Sequence, residues 1–225
     1  ERIAKLSGNK FSYIDKNVED MTEYTYTVRA GYGDTLSPYD KNGVKYTYIT
    51  PVQFGTTNTS NGIKITIDKK QGVDGYVIKQ YVDGKWSTLK KIDNPSVTTY
   101  TDKNVTGGQR KKYMVRAYVG DSQSYKQVSG YRYFLEQPEI TSLTKTSKGV
   151  KVKYDKVEGA AGYYVYRKAA GSTKWTKIAT TKSIEYVDTN VKSGVKYTYT
   201  VKAYCCGKTQ ESAYNKTGWS ITYKK

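Results

Sequence analysis

A chain of 225 residues has room for two ordinary domains or two and a half small ones. Its 14% aromatic content, with 25 tyrosines against 3 phenylalanines, excludes a disordered chain, and no apolar run approaches the ~18 residues of a membrane span. Thirty-eight basic against 20 acidic residues give a net charge of +18, which favours polyanions as partners, although lysines also keep a chain soluble and guard strand edges. Histidine is absent, which removes the commonest general base and the commonest metal ligand together.

In chain order, Glu1 opens in mid-pattern without a methionine and reads as an artificial or processing boundary. "RIAKL", "FSYID", "EYTYTVRA" and "GVKYTYI" follow as short alternating strands within residues 1–50. Thr50-Pro51 opens a second stretch, with strands at "GIKITID" (62–68), "GYVIKQY" (75–81), "KWSTLKK" (85–91) and "GYRYFL" (130–135). Gln137-Pro138 opens a third, with strands at "GVKVKY" (149–154), "GYYVYRK" (162–168), "KWTKIAT" (174–180), "IEYVD" (184–188), "YTYTVKAY" (197–204) and "GWSITY" (218–223). Gly and Asn/Asp punctuate the joints, and no stretch has helical periodicity. The class is all-β.

One motif recurs three times: "YIDKNVEDMTEYTYTVRAGYGD" from Tyr13, "YTDKNVTGGQRKKYMVRAYVGD" from Tyr100 and "YVDTNVKSGVKYTYTVKAYCCG" from Tyr186. The copies are 87 and 86 residues apart (100 − 13 and 186 − 100), and each unit of that length holds six or seven short strands. Such a unit is a β-sandwich. In the last copy Tyr197, Tyr199, Val201 and Ala203 share one strand face, so the tyrosines fill the core while their hydroxyls reach its rim.

The run Val191-x-x-Gly194-x-x-Tyr197-x-Tyr199-x-Val201-x-Ala203 resembles the E–F corner and F strand of a fibronectin type III domain. "VKVKYDKVEGAAGYYVYRK" (150–168) is similar to that family's passage from strand B to strand C, with Tyr154 where a core tryptophan is usual and Ile67 in that place in the second unit. The resemblance implies tandem immunoglobulin-like sandwiches with a tyrosine corner at Tyr24 and Tyr197; Lys111 replaces it in the second unit. The expected domains are 1–50, the C-terminal part of a truncated module, then complete modules at 51–137 and 138–225. The missing first strands of residues 1–50 point to a piece of a longer repeat protein, or to strands supplied by another polypeptide. Linkers this short predict a rod with limited bending.

Candidate chemistry is sparse. No Gly-x-Ser-x-Gly elbow occurs, and the carboxylates are sparse and scattered, so a glycosidase pair is unsupported and no enzyme and no cofactor are expected. Asp15/Asn17, Asp102/Asn104 and Asp188/Asn190 offer one carboxylate each beside lysines, an Asx turn rather than a calcium site, so no metal is expected. Cys205 and Cys206 are either two free thiols in a turn or a vicinal disulfide. The lysines form no 5–8 residue cluster, so specific nucleic-acid binding is not expected, and no Arg-Gly-Asp is present. Strand parity turns Tyr164, Tyr166 and Trp175 outward as a candidate platform for sugar rings, with a thinner version at Tyr81 and Trp86; alternatively Trp175 lies over its own sheet and shields it. The expected function is a non-catalytic spacer or scaffold and adhesion arm of a secreted or wall-associated cell-surface protein of bacterial type. The alternatives are a carbohydrate-binding accessory module and an adhesin for a host protein. Partners on this reading are neighbouring modules of the same polypeptide, glycans, acidic wall polymers or a host surface protein.

Overall fold

The structure, a computed structural model, describes residues 1–225. It is built of short strands. The first stretch holds β1 (Thr22–Tyr26), β2 (Gly31–Tyr32), β3 (Thr35–Leu36) and β4 (Val44–Tyr48). The middle stretch holds β5 (Phe54–Thr59), β6 (Gly62–Ile67), β7 (Gly75–Val82), β8 (Lys85–Ile92), β9 (Thr99–Asp102), β10 (Arg110–Lys111), β11 (Tyr113–Val119), β12 (Ser122–Gln123), β13 (Gln127–Val128) and β14 (Arg132–Tyr133). The last holds β15 (Ile140–Thr146), β16 (Gly149–Tyr154), β17 (Gly162–Ala169), β18 (Thr176–Thr181), β19 (Glu185–Asp188), β20 (Lys196–Cys205), β21 (Gln210–Glu211) and β22 (Trp219–Thr222).

These strands gather into two compact units. One comprises Glu1–Gln53, Asp68–Thr98 and Met114–Val128; the other comprises Phe54–Ile67, Thr99–Tyr113 and Ser129–Lys225. The middle stretch therefore contributes strands to both.

In the second unit, the last stretch folds as a complete sandwich. Sheet β15-β16-β19 faces sheet β18-β17-β20-β21, and β22 continues the edge beside β20. All pairings are antiparallel, with Val152 opposite Tyr186 and Val165 opposite Val201. Alternation places Val150, Val152, Tyr163, Val165, Tyr199 and Val201 in one buried cluster. Burying a side chain of this size contributes about 1.5–3 kcal/mol, so this face dominates the sandwich's stability. The three-plus-four strand order is that of a fibronectin type III-like sandwich. The same unit also contains sheet β5-β6-β9 of the middle stretch and the pair β10-β14.

The first unit contains the matching sheet of the middle stretch, β12-β11-β7-β8 with β13 beside β11, in which Tyr76, Ile78 and Val115 are fully buried. It also contains the pairs β1-β4 and β2-β3. The expected strands "RIAKL" and "FSYID" do not form: no strand precedes Thr22, and Phe11 and Ile14 lie exposed. The physical reason is plain. In the last stretch, the equivalent strands β18 and β19 pair with β17 and β16, and residues 1–50 contain no counterpart of either partner.

Glycine shapes both sandwiches at the entry to the second strand. Gly62 and Gly149 have φ of +150° and +148°, and a Cβ on either would collide with the carbonyl of Asp102 or Asp188. Only glycine tolerates both demands.

Candidate binding surfaces

The repeated tyrosine motif becomes legible atom by atom. Its aspartates each serve two partners. One oxygen accepts from the amide two residues on, closing an Asx turn: Asn17 to Asp15 at 2.9 Å, Asn104 to Asp102 at 3.0 Å, Asn190 to Asp188 at 3.1 Å. The other accepts from a tyrosine hydroxyl eleven residues on: Tyr26 at 3.2 Å, Tyr113 at 2.8 Å and Tyr199 at 2.8 Å. Asp188 also binds Arg167 at 2.7 Å. Asp102 and Asp188 are buried, and these bonds are what make a buried carboxylate tolerable. Burial, reinforced by the neighbouring aspartate, pushes the Tyr113 and Tyr199 hydroxyls well above their ordinary pKa.

Other tyrosines lock the corners. Tyr24 and Tyr197 accept from the amides of Glu19 (2.9 Å) and Lys192 (3.0 Å), five residues upstream. Tyr76 and Tyr163 accept from Lys70 (3.0 Å) and Val157 (2.9 Å), six residues upstream. A serine lock appears in all three copies: Ser37, Ser124 and Ser212 accept from the amides of Ala30, Ala117 and Ala203 at 3.0, 3.0 and 2.9 Å. Sequence reasoning passed over these serines, although their spacing of 87 and 88 residues (124 − 37 and 212 − 124) was the available signal.

Successive stretches meet at equivalent positions of the repeat twice, through different side-chain groups. In the first unit the amide of Thr47 on β4 donates to the Ser122 hydroxyl at 2.9 Å, and Tyr46 donates to the Gln123 carbonyl. In the second, the amide of Tyr133 on β14 donates to Gln210 Oε1 at 2.9 Å, and Gln210 Nε2 returns a bond to the Tyr131 carbonyl at 2.9 Å. Asn58 Nδ2 bridges the carbonyls of Tyr133 and Glu211, both at 3.0 Å. The residue two past each of these amides, Ile49 or Leu135, is fully buried, and Leu135 sits in the core of the following sandwich. Loops close tightly in each unit: a Cβ on Gly159 would lie 2.9 Å from Gly108 Cα and 3.7 Å from a Leu135 methyl, and in the first unit one on Gly72 would lie 3.0 Å from the Met21 methyl. The first junction adds an ion pair, Lys70 to Asp20 at 2.5 Å. Partial burial raises the Asp20 pKa, but bonds from Lys70 and Thr50 outweigh it and hold the carboxyl below its ordinary value.

The proposed aromatic platform takes a different form. Tyr164 is buried, 6% exposed, because its ring stacks on Tyr204 at 4.5 Å and Lys177 Nζ covers it at 4.6 Å. Trp175 precedes β18 rather than lying in it, and is half-buried. Its ring meets Tyr214 edge-on at 6.5 Å and lies over Gly218, where a Cβ would come within 2.7 Å of it. Lys168 Nζ sits 4.6 Å above the indole. Tyr166, between them, is half-buried. Tyr164, Tyr166 and Trp175 thus share one sheet face, but as a packed layer rather than an open one. Parity gives the direction each side chain takes and not what the neighbouring strand lays on top of it. In the middle stretch Tyr81 and Trp86 pair across β7 and β8 at 5.2 Å, with Tyr81 37% exposed.

Cys205 and Cys206 are free thiols. Cys205 belongs to the core, where burial and a hydrogen bond with Cys206 push its thiol up to about 12. Cys206 is exposed in a turn at φ +56°.

No protein-family model matches the sequence, and no curated protein matches it. Among solved structures, the chain is similar to the FN1–FN3 domains of chicken CNTN1, at 16% identity over 95% of this chain and 84% of that one, TM-score 0.44. It is also similar to the chicken interferon gamma receptor alpha chain, at 12% identity over 78% of this chain and 98% of that one, TM-score 0.40. The assignment of fold rests on the strand orders and registers above: tandem immunoglobulin-like sandwiches of fibronectin type III-like topology. No helix is long and apolar enough to cross a membrane.

Proposed function

We propose that the chain is a non-catalytic spacer and scaffold arm of a larger extracellular or cell-surface protein, with residues 1–50, 51–137 and 138–225 as its modular divisions. The observation that carries this reading is the junction built twice at equivalent positions: the amide of Thr47 on the Ser122 hydroxyl and that of Tyr133 on the Gln210 carboxamide. Ile49 and Leu135 are buried alongside them. A linker residue inserted into the next core resists bending in a way that a solvated linker does not. Such an arm holds whatever it joins at a set separation, and its partners are neighbouring modules of its own polypeptide. Backbone ¹⁵N relaxation tests the idea. Adjacent modules with a common rotational correlation time support a stiff arm, and separate correlation times refute it.

A further inference from the structure

The outer face of sheet β18-β17-β20-β21 carries cations seated on aromatic rings. Lys168 Nζ lies 4.6 Å from the Trp175 ring, Lys177 Nζ 4.6 Å from Tyr164, and Lys202 Nζ 5.2 Å from Tyr214. The row continues along the turn after β20, where Lys208 Nζ lies 5.9 Å from Tyr204. Two residues on, Gln210 is bonded to the Tyr131 carbonyl at 2.9 Å, and the Tyr131 ring carries Arg110 at 4.6 Å and Lys112 at 5.5 Å. Among the three lysines on the sheet itself, Lys202 alone is ion-paired, to Glu211 at 2.8 Å.

We propose that this row of ring-seated cations is a binding site for an anionic polysaccharide. The rings act as pedestals. A lysine resting on an aromatic face has already given up much of its rotamer freedom, so an incoming anion meets ammonium groups in fixed places at a smaller entropic cost. The same seating closes the ring faces to neutral sugars and to nucleobases, both of which need an open face to stack on. What the surface presents to solvent is therefore positive charge along one sheet face. A polymer with carboxylates or sulfates at regular intervals on sugar rings matches it: the anions pair with the lysines, and sugar C–H groups contact the half-exposed edges of Trp175, Tyr166 and Tyr214. The three sheet lysines Lys168, Lys177 and Lys202 lie on one face of one sandwich, so the inference as they test it is independent of how stiff the junctions are.

The test uses the whole 225-residue chain, titrated calorimetrically with polygalacturonate, dextran sulfate, unmodified dextran and duplex DNA at low and high salt. One charged glycan is expected to bind more tightly than DNA, and the choice between carboxylate and sulfate names the source of the anion. The triple variant Lys168→Gln/Lys177→Gln/Lys202→Gln should lose roughly tenfold or more in affinity, while a control removing as much charge elsewhere, Lys5→Gln/Lys10→Gln/Lys16→Gln, should lose less than about twofold. The single variants, each expected to lose about threefold, keep the test readable if the triple does not fold. Equal losses in the two triples would reduce the effect to bulk charge and overturn the site. Binding of unmodified dextran, tighter binding of DNA, or no glycan binding would overturn it as well.

Discussion

Tyr26, Tyr113 and Tyr199 occupy one position of the repeat, yet only the last two are buried, and that difference makes them a graded experiment. Tyr199→Phe keeps the ring and deletes the bond to Asp188, leaving a buried carboxylate short of a donor. Urea unfolding should show a loss of about 1.5–3 kcal/mol, against less than about 1 kcal/mol for Tyr26→Phe, whose site is only half-buried. Equal effects would mean that burial does not set the strength of the lock. Titration adds a second expectation. Folding raises the Tyr113 and Tyr199 pKa values above the ordinary 10.0 through burial first and the aspartate second. Below pH 10 both states carry the proton and the stabilisation is intact. As pH rises past that value the unfolded chain loses protons that the folded chain retains, so stability falls. Melting temperatures should hold steady up to about pH 10 and drop steeply above it, and Tyr113→Phe/Tyr199→Phe should flatten that drop. Spacing made the Asx turns readable in advance. The tyrosine bonded to each aspartate was hidden, because eleven residues of chain separate two groups that no strand pairing joins: Asp188 and Tyr199 lie on β19 and β20, in different sheets, and meet only where the sheets pack together.

At the scale of the element, the strand that follows Gly149 tolerates no side chain at its start. The glycine's φ of +148° and the Asp188 carbonyl both forbid a Cβ. Gly149→Ala should cost at least about 2 kcal/mol in chemical denaturation, while Gly171→Ala, at φ +81° with open space around it, should cost about 1 kcal/mol. A smaller loss at Gly149 than at Gly171 would contradict the clash. The elements of the first stretch teach the complementary lesson. "FSYID" and "IEYVD" have the same alternation, yet only the second forms a strand, β19, because β16 lies beside it. Alternation is a statement about compatibility with a sheet. It supplies no hydrogen-bond partner.

Across the whole molecule, the junction residues couple one sandwich's stability to the next. Leu135→Ala should leave a cavity in the core of the last sandwich and cost about 2–5 kcal/mol, although the residue lies in the linker by sequence. The same variant should give the flanking modules separate ¹⁵N correlation times, and an unchanged common value would assign the stiffness to the hydrogen bonds of Gln210 and Asn58 instead. At the first junction, the depressed Asp20 pKa contributes stability that is fully present above the ordinary carboxylate value and is lost as pH falls from there through the lower folded value.

The chain's own sequence determined the repeat, its period, the all-β class and which strand faces turn inward, because periodicity two and glycine placement are local properties of the backbone. Tertiary structure decided the rest. It chose which aspartate meets which tyrosine, seated Leu135 in a neighbouring core, and left the first strands of residues 1–50 unpaired. It also laid Tyr204 and Lys177 against the Tyr164 ring and Lys168 against Trp175. Each of these depends on contacts between residues far apart in the chain, and a strand's alternation carries no record of what will be packed upon it.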